Sequence, residues 1–177
     1  RNRDRGVGGG YVIKVGKTVE LECLDTPGHT MCHICLLSHT DQPALFSGDT
    51  LFTAGAGNCH NGGHPEELYE TFCKQLDALG ENTRLYPGHD YLVNNLEFTL
   101  DREPDNATAK QMLDTYRNQD PDNALVTTLA QEREMNTFFR LQSPAVIEKL
   151  LEDFPELGDS PDPKSVFLKL RELRNSW

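Results

Sequence analysis

Three short motifs, each a glycine followed at once by a histidine or an aspartate, constrain this sequence more than any other feature. They are Gly28-His29, Gly48-Asp49 and Gly88-His89, and each follows residues with the pattern of a β-strand. A glycine lets the chain turn sharply as it leaves a strand, which puts the next side chain on the rim of the sheet, where the strands end. The motifs therefore predict two histidines and an aspartate on the rim of one sheet.

Those three side chains, His29, Asp49 and His89, are of the kinds that bind metal ions. Imidazole nitrogens and carboxylate oxygens are usual ligands of Zn²⁺ and of non-haem iron or manganese. Asp49 has two oxygens and could bridge two ions, with one histidine on each. Two such ions lower the pKa of a bound water and polarise a carbonyl, which favours hydrolysis over redox chemistry. Taken singly, each residue is more often a turn residue, and three ligands cannot complete two metal sites.

The order of strand and helix patterns divides the chain near residue 103. Before that point the sequence has strand and helix patterns, a hairpin turn at Gly16-Lys17 and a long glycine-rich loop at 51–63. After it only helical patterns occur, and capping residues mark three helix starts, at Thr128, Ser143 and Asp162. We predict strands at 11–15, 18–25, 34–38, 44–47 and 84–86, and helices at 65–79, 91–100 and 104–119. The predicted domains are an α/β part, 1–103, and an all-helical part, 104–177.

Net charge and hydropathy exclude two classes of partner. The formal net charge at pH 7 is −11, whereas nucleic-acid binders normally carry a basic surface, so no nucleic-acid partner is expected. No apolar run approaches the length that crosses a bilayer, and the first residues do not resemble a signal peptide, so no membrane partner is expected. The residues that begin at Arg1 resemble the interior of a longer protein, so we expect the chain to be part of one.

The five cysteines have no regular spacing. This is typical of free thiols in a reducing compartment, and we predict a cytoplasmic location. Cys32 and Cys35 have the C-x-x-C spacing of redox and zinc motifs. Because a strand that contained both would send their thiols to opposite faces, we interpret the pair as small buried apolar residues.

Longer segments around the rim motifs resemble the metallo-β-lactamase superfamily. They lie at 27–30, 46–52 and 86–91. Three further segments resemble one family of that superfamily, the hydroxyacylglutathione hydrolases or glyoxalase II enzymes, which have a helical C-terminal domain. They lie at 103–107, 128–132 and 136–140. The resemblance extends over nearly the whole chain.

The resemblance implies an αβ/βα sandwich, of which this chain holds the C-terminal half, with two divalent metal ions at one edge. His29 would bind the first ion, His89 the second, and Asp49 would bridge them, so these are also the implied catalytic residues. Zinc is the favoured metal, with iron and manganese as alternatives. The implied reaction is thioester hydrolysis, in which a metal-activated water attacks S-lactoylglutathione and gives D-lactate and glutathione, a step of methylglyoxal detoxification.

The resemblance also implies residues that bind the substrate. Tyr91 matches a tyrosine that contacts the glutathione moiety, and Arg171 and Arg174 match a basic pair that holds its glycyl carboxylate. Two cations three residues apart share one helix face, which suits a carboxylate. Asn58 and His60 stand where the family has a lysine and a tyrosine that contact glutathione, so a thiol carrier other than glutathione remains an alternative.

One part of the family pattern is absent from this sequence. The first metal-binding motif of the superfamily, Thr-His-x-His-x-Asp-His, does not occur, and Thr137 stands where the family has a proline. The expected partner is therefore a missing N-terminal half of the same fold, which would cover an apolar sheet face and complete the metal site. Two alternatives remain: a mononuclear iron enzyme of the persulfide dioxygenase type, and a non-catalytic assembly module. A lactamase-fold nuclease is disfavoured by the charge.

Overall fold

Seven strands are present in the computed structural model, which describes residues 6–120 and 123–177. They are β1 Val12–Val15, β2 Val19–Asp25, β3 Ile34–Ser38, β4 Ala44–Gly48, β5 Leu51–Phe52, β6 Gly55–Ala56 and β7 Arg84–Pro87. Five of them form a mixed sheet in the order β1-β2-β3-β4-β7, while β5 pairs with β6. Strands β1 and β2 form the predicted hairpin, with Val15 opposite Val19. Arg1 lies outside the described residues.

The strands that carry the three rim motifs all run the same way. β2, β3 and β4 are antiparallel neighbours, so β2 and β4 point in one direction, and β7 pairs with β4 in parallel. The carboxyl ends of β2, β4 and β7 therefore lie on the same rim of the sheet. This topology puts His29, Asp49 and His89 together, as the sequence predicts.

Six α-helices follow or interrupt the strands in the described part of the chain. They are α1 Pro65–Thr71, α2 Leu92–Arg102, α3 Ala107–Tyr116, α4 Leu129–Met135, α5 Pro144–Asp153 and α6 Pro163–Arg174. A π-helical turn, Phe72–Leu76, continues α1, and 3₁₀ turns lie at Thr137–Phe139 and Pro155–Leu157. Within residues 6–120 and 123–177, no helix has the length and apolar character needed to cross a bilayer.

Side-chain caps explain where α3, α4 and α6 begin, whereas the predicted cap Ser143 makes no side-chain capping hydrogen bond to α5. Thr128 forms the predicted capping box at the start of α4, and the Asp162 side chain accepts the backbone N–H of Ser165 in α6. The prediction that a helix opens at Pro104 was three residues early. The side chain of Asn106 accepts the N–H of Ala109, so α3 begins at Ala107.

One face of the sheet packs against the helices in a single buried cluster. Leu45 and Leu85 of the sheet share it with Phe138 and with Phe167 of α6. The apolar stripe of the first predicted helix, 65–79, packs there too: Leu68, Phe72 and Leu76 are buried, and Leu79 is partly buried against the cluster. Because this packing includes residues on both sides of position 103, the domains 1–103 and 104–177 stay a prediction.

The opposite face of the sheet carries an apolar row that is buried at Cys23 and exposed at Phe46. Register pairs Cys23 with Leu36, Leu36 with Phe46 and Phe46 with Tyr86, so these four side chains lie side by side across the sheet. Phe46 is 42% exposed and stacks on Tyr86 with ring centroids 5.3 Å apart. The row is a candidate contact surface, because a solvated sheet face normally carries polar side chains.

Two further sequence interpretations were wrong. The segment 51–63 is not an irregular loop throughout, because β5 and β6 form a tight hairpin whose turn residue Ala54 has a φ of 58°. Cys32 is exposed, since it lies in the turn before β3, whereas Cys35 is fully buried in that strand. The interpretation of two buried apolar residues therefore holds for Cys35 alone.

Replacing Thr137 with valine is expected to raise the free energy of unfolding by about 1 kcal/mol. Thr137 is fully buried, and its hydroxyl has no hydrogen-bond partner among the described residues. Valine has the same shape without the unsatisfied polar group. Urea unfolding of both proteins measures the change.

The matched control is Thr127→Val, which removes a buried hydroxyl that donates to Glu132 at 2.7 Å. This control is expected to lose about 1 kcal/mol. Equal losses for Thr127→Val and Thr137→Val would show that the Thr137 hydroxyl is satisfied in solution.

Candidate active site

Asp49 lies between the two predicted histidine ligands. Its Oδ2 is 3.4 Å from His29 Nε2, and its Oδ1 is 3.4 Å from His89 Nε2. Each oxygen of the carboxylate therefore faces a different imidazole. Gly48 makes this possible, because its φ of 51° turns the chain at the end of β4, and a β-carbon there would lie 2.8 Å from His33 Nε2.

The ring of His29 is oriented by a backbone carbonyl. Its Nδ1 is 2.7 Å from the carbonyl oxygen of Asn58. Because a carbonyl only accepts, Nδ1 carries the proton, and the lone pair is on Nε2, the nitrogen that faces Asp49. A backbone hydrogen bond from the second ring nitrogen is typical of histidines that bind metals.

Sequence reasoning missed His33, which holds the backbone of Asp49. The N–H of Asp49 donates to His33 Nε2 at 3.2 Å, so Nδ1 carries the proton and lies 2.9 Å from the hydroxyl oxygens of Thr26 and Thr50. Burial and the neighbouring His29 lower the pKa of His33, while Asp49 partly offsets them. The net shift favours the neutral ring that this hydrogen bond needs. The sequence feature that could have identified His33 is its position, four residues after the candidate ligand His29.

The donor set fits part of a metal centre. Among residues 6–120 and 123–177, no group of three or more His, Cys, Asp or Glu side chains is placed to hold one ion. The pairs His29–Asp49 and His89–Asp49 each offer one nitrogen and one oxygen, which are donors that zinc, iron and manganese accept. These metals take four or more ligands in proteins, so each ion would need further donors from outside this set.

The five predicted substrate residues line one cleft beside the rim. The cleft has a volume of about 230 Å³ and contains Asn58, His60, Tyr91, Arg171 and Arg174. The ring of Tyr91 stacks on His89 at 5.4 Å, which connects the cleft to the candidate metal ligands. Their roles in binding stay predictions.

A buried carboxyl group supports the hairpin that leads into the cleft. Glu132 is fully buried and accepts the N–H of Ala54 at 2.9 Å, the hydroxyl of Thr127 and the side-chain amide of Asn136. Asn136 also donates to the carbonyl of Gly55. Burial raises the pKa of Glu132 to about 7, although these hydrogen bonds act in the opposite direction.

Glu132→Gln is expected to remove a pH dependence of stability. Because the folded pKa is about 7 against 4.5 for the free side chain, this group's contribution is complete below pH 4.5 and declines as the pH rises through 7. The decline amounts to about 3 kcal/mol. Glutamine keeps the shape, and the Thr127 hydroxyl can rotate to accept from its amide.

Urea unfolding at pH 5 and pH 8 tests this expectation, with exposed Glu148→Gln as the control. The stability of Glu132→Gln relative to the unmutated protein should rise between the two pH values, and that of the control should not. A difference that is independent of pH would show that Glu132 is ionised throughout this range.

Comparison with known proteins identifies the family. A family model described as hydroxyacylglutathione hydrolase C-terminus matches residues 90–177. The curated hydroxyacylglutathione hydrolase of Polaromonas sp. is 67% identical over 174 residues, covering 98% of this chain and 66% of the relative. That of Nitrosococcus oceani is 61% identical, covering 100% of this chain and 67% of the relative. The chain belongs to the hydroxyacylglutathione hydrolase family. It spans about two thirds of the length of these relatives.

Solved structures confirm the fold of this hydroxyacylglutathione hydrolase family member. The crystal structure of ETHE1 from Myxococcus xanthus has a TM-score of 0.54 at 24% identity, covering 96% of this chain and 59% of that one. The crystal structure of a metallo-beta-lactamase from Staphylococcus aureus has a TM-score of 0.56 at 20% identity. The match covers 98% of this chain and 44% of that one. At these identities the likeness is evidence for the fold alone. The predicted metallo-β-lactamase-type fold is confirmed.

Proposed function

We propose that this chain is the C-terminal part of a metal-dependent thioester hydrolase that converts S-lactoylglutathione and water to D-lactate and glutathione. The observation that carries the proposal is the placement of Asp49 between His29 and His89, one carboxylate oxygen to each ring. The names of the Polaromonas and Nitrosococcus relatives support the substrate class.

His29 and Asp49 would hold one divalent ion and His89 and Asp49 a second, with zinc favoured and iron or manganese as alternatives. When bound, the ions supply an activated water and polarise the thioester carbonyl. The chain's own residues keep this geometry fixed. Asn58 orients the His29 ring, and His33 holds the backbone of Asp49, so neither ligand has to reorganise during the reaction.

The cleft would receive the thiol carrier of the substrate. Arg171 and Arg174 have no carboxylate partner among the described residues, although the chain carries a net charge of −11. Two such guanidinium groups favour a carrier that bears a carboxylate, as glutathione does. Tyr91, Asn58 and His60 would contact the rest of the carrier, and the last two stand where the family has a lysine and a tyrosine.

The remaining third of the protein would come before residue 1 and cover the apolar row that includes Phe46. The family model for the C-terminus, which matches residues 90–177, supports this order. That segment would also supply the missing metal ligands. A cytoplasmic location belongs to the same proposal, supported by the Arabidopsis thaliana relative named hydroxyacylglutathione hydrolase cytoplasmic, which is 38% identical over 174 residues.

A chimera tests the function. It joins the part of the Polaromonas relative that this chain does not match to the front of residue 1, and it is loaded in turn with zinc, iron and manganese. We expect release of glutathione from S-lactoylglutathione by the chimera and none by the 177-residue chain alone. A folded, metal-loaded chimera that hydrolyses no acyl thioester would contradict the proposal. Oxygen uptake with glutathione persulfide would favour the dioxygenase alternative.

A further inference from the structure

The hairpin of β5 and β6 is connected to all three candidate metal ligands. Asp49 precedes the hairpin by two residues. The carbonyl of Asn58, two residues after the hairpin, faces the ring nitrogen of His29 at 2.7 Å. Within the hairpin, the ring of Phe52 lies 6.1 Å from the ring of His89. A movement of the hairpin would therefore displace the groups that set the positions of the three ligands.

The tip of this hairpin, residues 53–55, is buried against the helices. Three consecutive backbone groups of the tip each bind one side chain from α2 or from the end of α4: the Thr53 carbonyl binds Asn95 at 2.9 Å, the Ala54 N–H binds Glu132 at 2.9 Å, and the Gly55 carbonyl binds Asn136 at 3.2 Å. Because buried backbone groups need hydrogen-bond partners, these side chains determine where the tip lies.

Glu132 controls two of these three contacts. Its Oε2 accepts both the N–H of Ala54 and, at 3.0 Å, the side-chain amide of Asn136, which it thereby orients toward the tip. The carboxyl group is fully buried, and no charged side chain is among its hydrogen-bond partners in the described part of the chain. Burying a carboxyl group without a counter-charge is unfavourable, which is typical of residues that serve a functional site rather than stability.

The other oxygen of Glu132 faces the strand that leads to His89. Oε1 accepts the hydroxyl of Thr127 at 2.7 Å. The carbonyl of Thr127 in turn accepts the N–H of Leu85 in β7 at 2.8 Å. One carboxyl group thus connects the hairpin that follows Asp49 to the strand that precedes His89.

We propose that Glu132 is a positioning residue for the candidate metal centre, since it joins the tip of the hairpin to β7 and so fixes the ligands of the two elements relative to each other. The inference rests on the proposed function in taking His29, Asp49 and His89 to be metal ligands. Glu132 itself does not line the cleft beside the rim, so it acts through the hairpin and through Thr127.

Histidine ring spectra of the metal-free chimera test this role without reference to activity. With ¹⁵N-labelled histidine, the His29 signals are assigned by their loss in His29→Gln. Glu132→Met has a side chain of similar length but lacks both acceptor oxygens. We expect this variant to shift the His29 signals away from the Nδ1–H tautomer, because the carbonyl of Asn58 moves with the hairpin. The signals of the exposed His39 should stay constant.

Two further variants separate positioning from stability. Glu132→Gln keeps one oxygen that can accept from Ala54 and Asn136, so we expect its His29 signals to return toward those of the unmutated chimera. The matched control is Glu103→Met, which removes another buried carboxylate of the helices, one that binds Arg140. This control is expected to lose stability and to leave the His29 signals unchanged.

Gly55→Ala covers the case in which Glu132→Met does not fold, because it displaces the tip from the other side. A β-carbon at Gly55 would lie 2.5 Å from Nδ2 of Asn95. We expect this variant to shift the His29 signals in the same direction as Glu132→Met. Unchanged His29 signals in every folded variant of Glu132 and Gly55, or an equal shift in Glu103→Met, would overturn the positioning role.

Zinc affinity and kinetics of the chimera measure the consequence for the site. Glu132→Met is expected to weaken zinc binding about tenfold and to lower kcat for S-lactoylglutathione about 100-fold, because the ligands are misplaced. KM should stay unchanged, and Glu132→Gln should recover most of both losses. A rise in KM without a loss of kcat, or an equal loss of kcat in Glu103→Met, would contradict the proposal.

The failure of this proposal differs from the failure of the proposed function. If the unmutated chimera binds zinc but hydrolyses no thioester, the proposed function fails, and zinc affinity and the ring spectra still decide the role of Glu132. If the unmutated chimera is active and Glu132→Met matches it in zinc affinity, kcat and His29 signals, the positioning role fails and the proposed function stands.

Discussion

Asp49→Asn is expected to remove one of the two metal ions from the chimera and to lower kcat on the order of 10³-fold. The carboxylate of Asp49 is the only group placed between both histidine rings in the described part of the chain, at 3.4 Å from each. An asparagine keeps the shape but loses the charge, and its amide nitrogen cannot bind a cation. One of the two ions would therefore lose its oxygen ligand.

Elemental analysis of the purified chimera and initial rates with S-lactoylglutathione measure both effects. The matched control is Asp25→Asn, at the end of β2 on the same rim, where the carboxylate accepts the N–H of Gly9. Metal content and rate should stay unchanged in this control. Full metal occupancy in Asp49→Asn would contradict a bridging role.

Glu103→Ala is expected to lower the free energy of unfolding by about 3 kcal/mol. Glu103 is 4% exposed and accepts two hydrogen bonds from the guanidinium of Arg140, at 2.6 and 2.9 Å, and one from the Ser143 hydroxyl at 2.5 Å. These contacts join the end of α2 to the start of α5 and to the turn before it. Removing the carboxylate leaves a partly buried guanidinium without its counter-charge.

Urea unfolding measures this loss, and Glu97→Ala is the control on the same helix. Glu97 forms an exposed ion pair with Arg117 at 2.9 Å, and such pairs contribute between about 0 and 1 kcal/mol. The double variant Glu103→Ala/Arg140→Ala should lose less than the sum of the single variants. A Glu103→Ala loss as small as that of Glu97→Ala would show that the pair is solvated.

The pair also has a defined pH dependence. Burial raises the pKa of Glu103, but the hydrogen bonds from Arg140 and Ser143 outweigh this effect, so the pKa lies below its ordinary value. The contribution of Glu103 to stability is therefore present at neutral pH and is lost as the pH falls through the folded pKa. This is the opposite of the behaviour expected for Glu132.

The strands and the rim could be predicted because their signals are local. Alternating apolar and acidic side chains mark β2, an apolar run marks β3, and a glycine next to a histidine or an aspartate marks the exits of β2, β4 and β7. The hairpin β5–β6 could not be predicted, because its conformation is stabilised by hydrogen bonds to side chains far along the chain. Ala54 is held by Glu132, and Ala56 by Arg171.

The candidate metal ligands could be predicted from the sequence, but the residues that support them could not. His29, Asp49 and His89 share a rim because the strands before them run in the same direction. β2, β3 and β4 are antiparallel neighbours, and the long connection 49–83 brings β7 beside β4 in parallel. His33 was missed because its role is to accept a backbone N–H, a contact that no spacing rule specifies. Arg171 has the spacing of a surface cation, and only its contacts with the carbonyls of Ala56 and Gly57 in the structure show that it is buried.

The parallel pairing of β4 with β7 has a consequence for how the protein folds. Residues 49–83 separate the two strands, whereas the other neighbours in the sheet are joined by short turns. Contacts of such long sequence separation form late, because the entropy of closing the loop is lost before the pairing contributes. Asp49 and His89 are therefore expected to come together late, after the β1–β4 meander, so the two halves of the candidate metal centre form at different stages of folding.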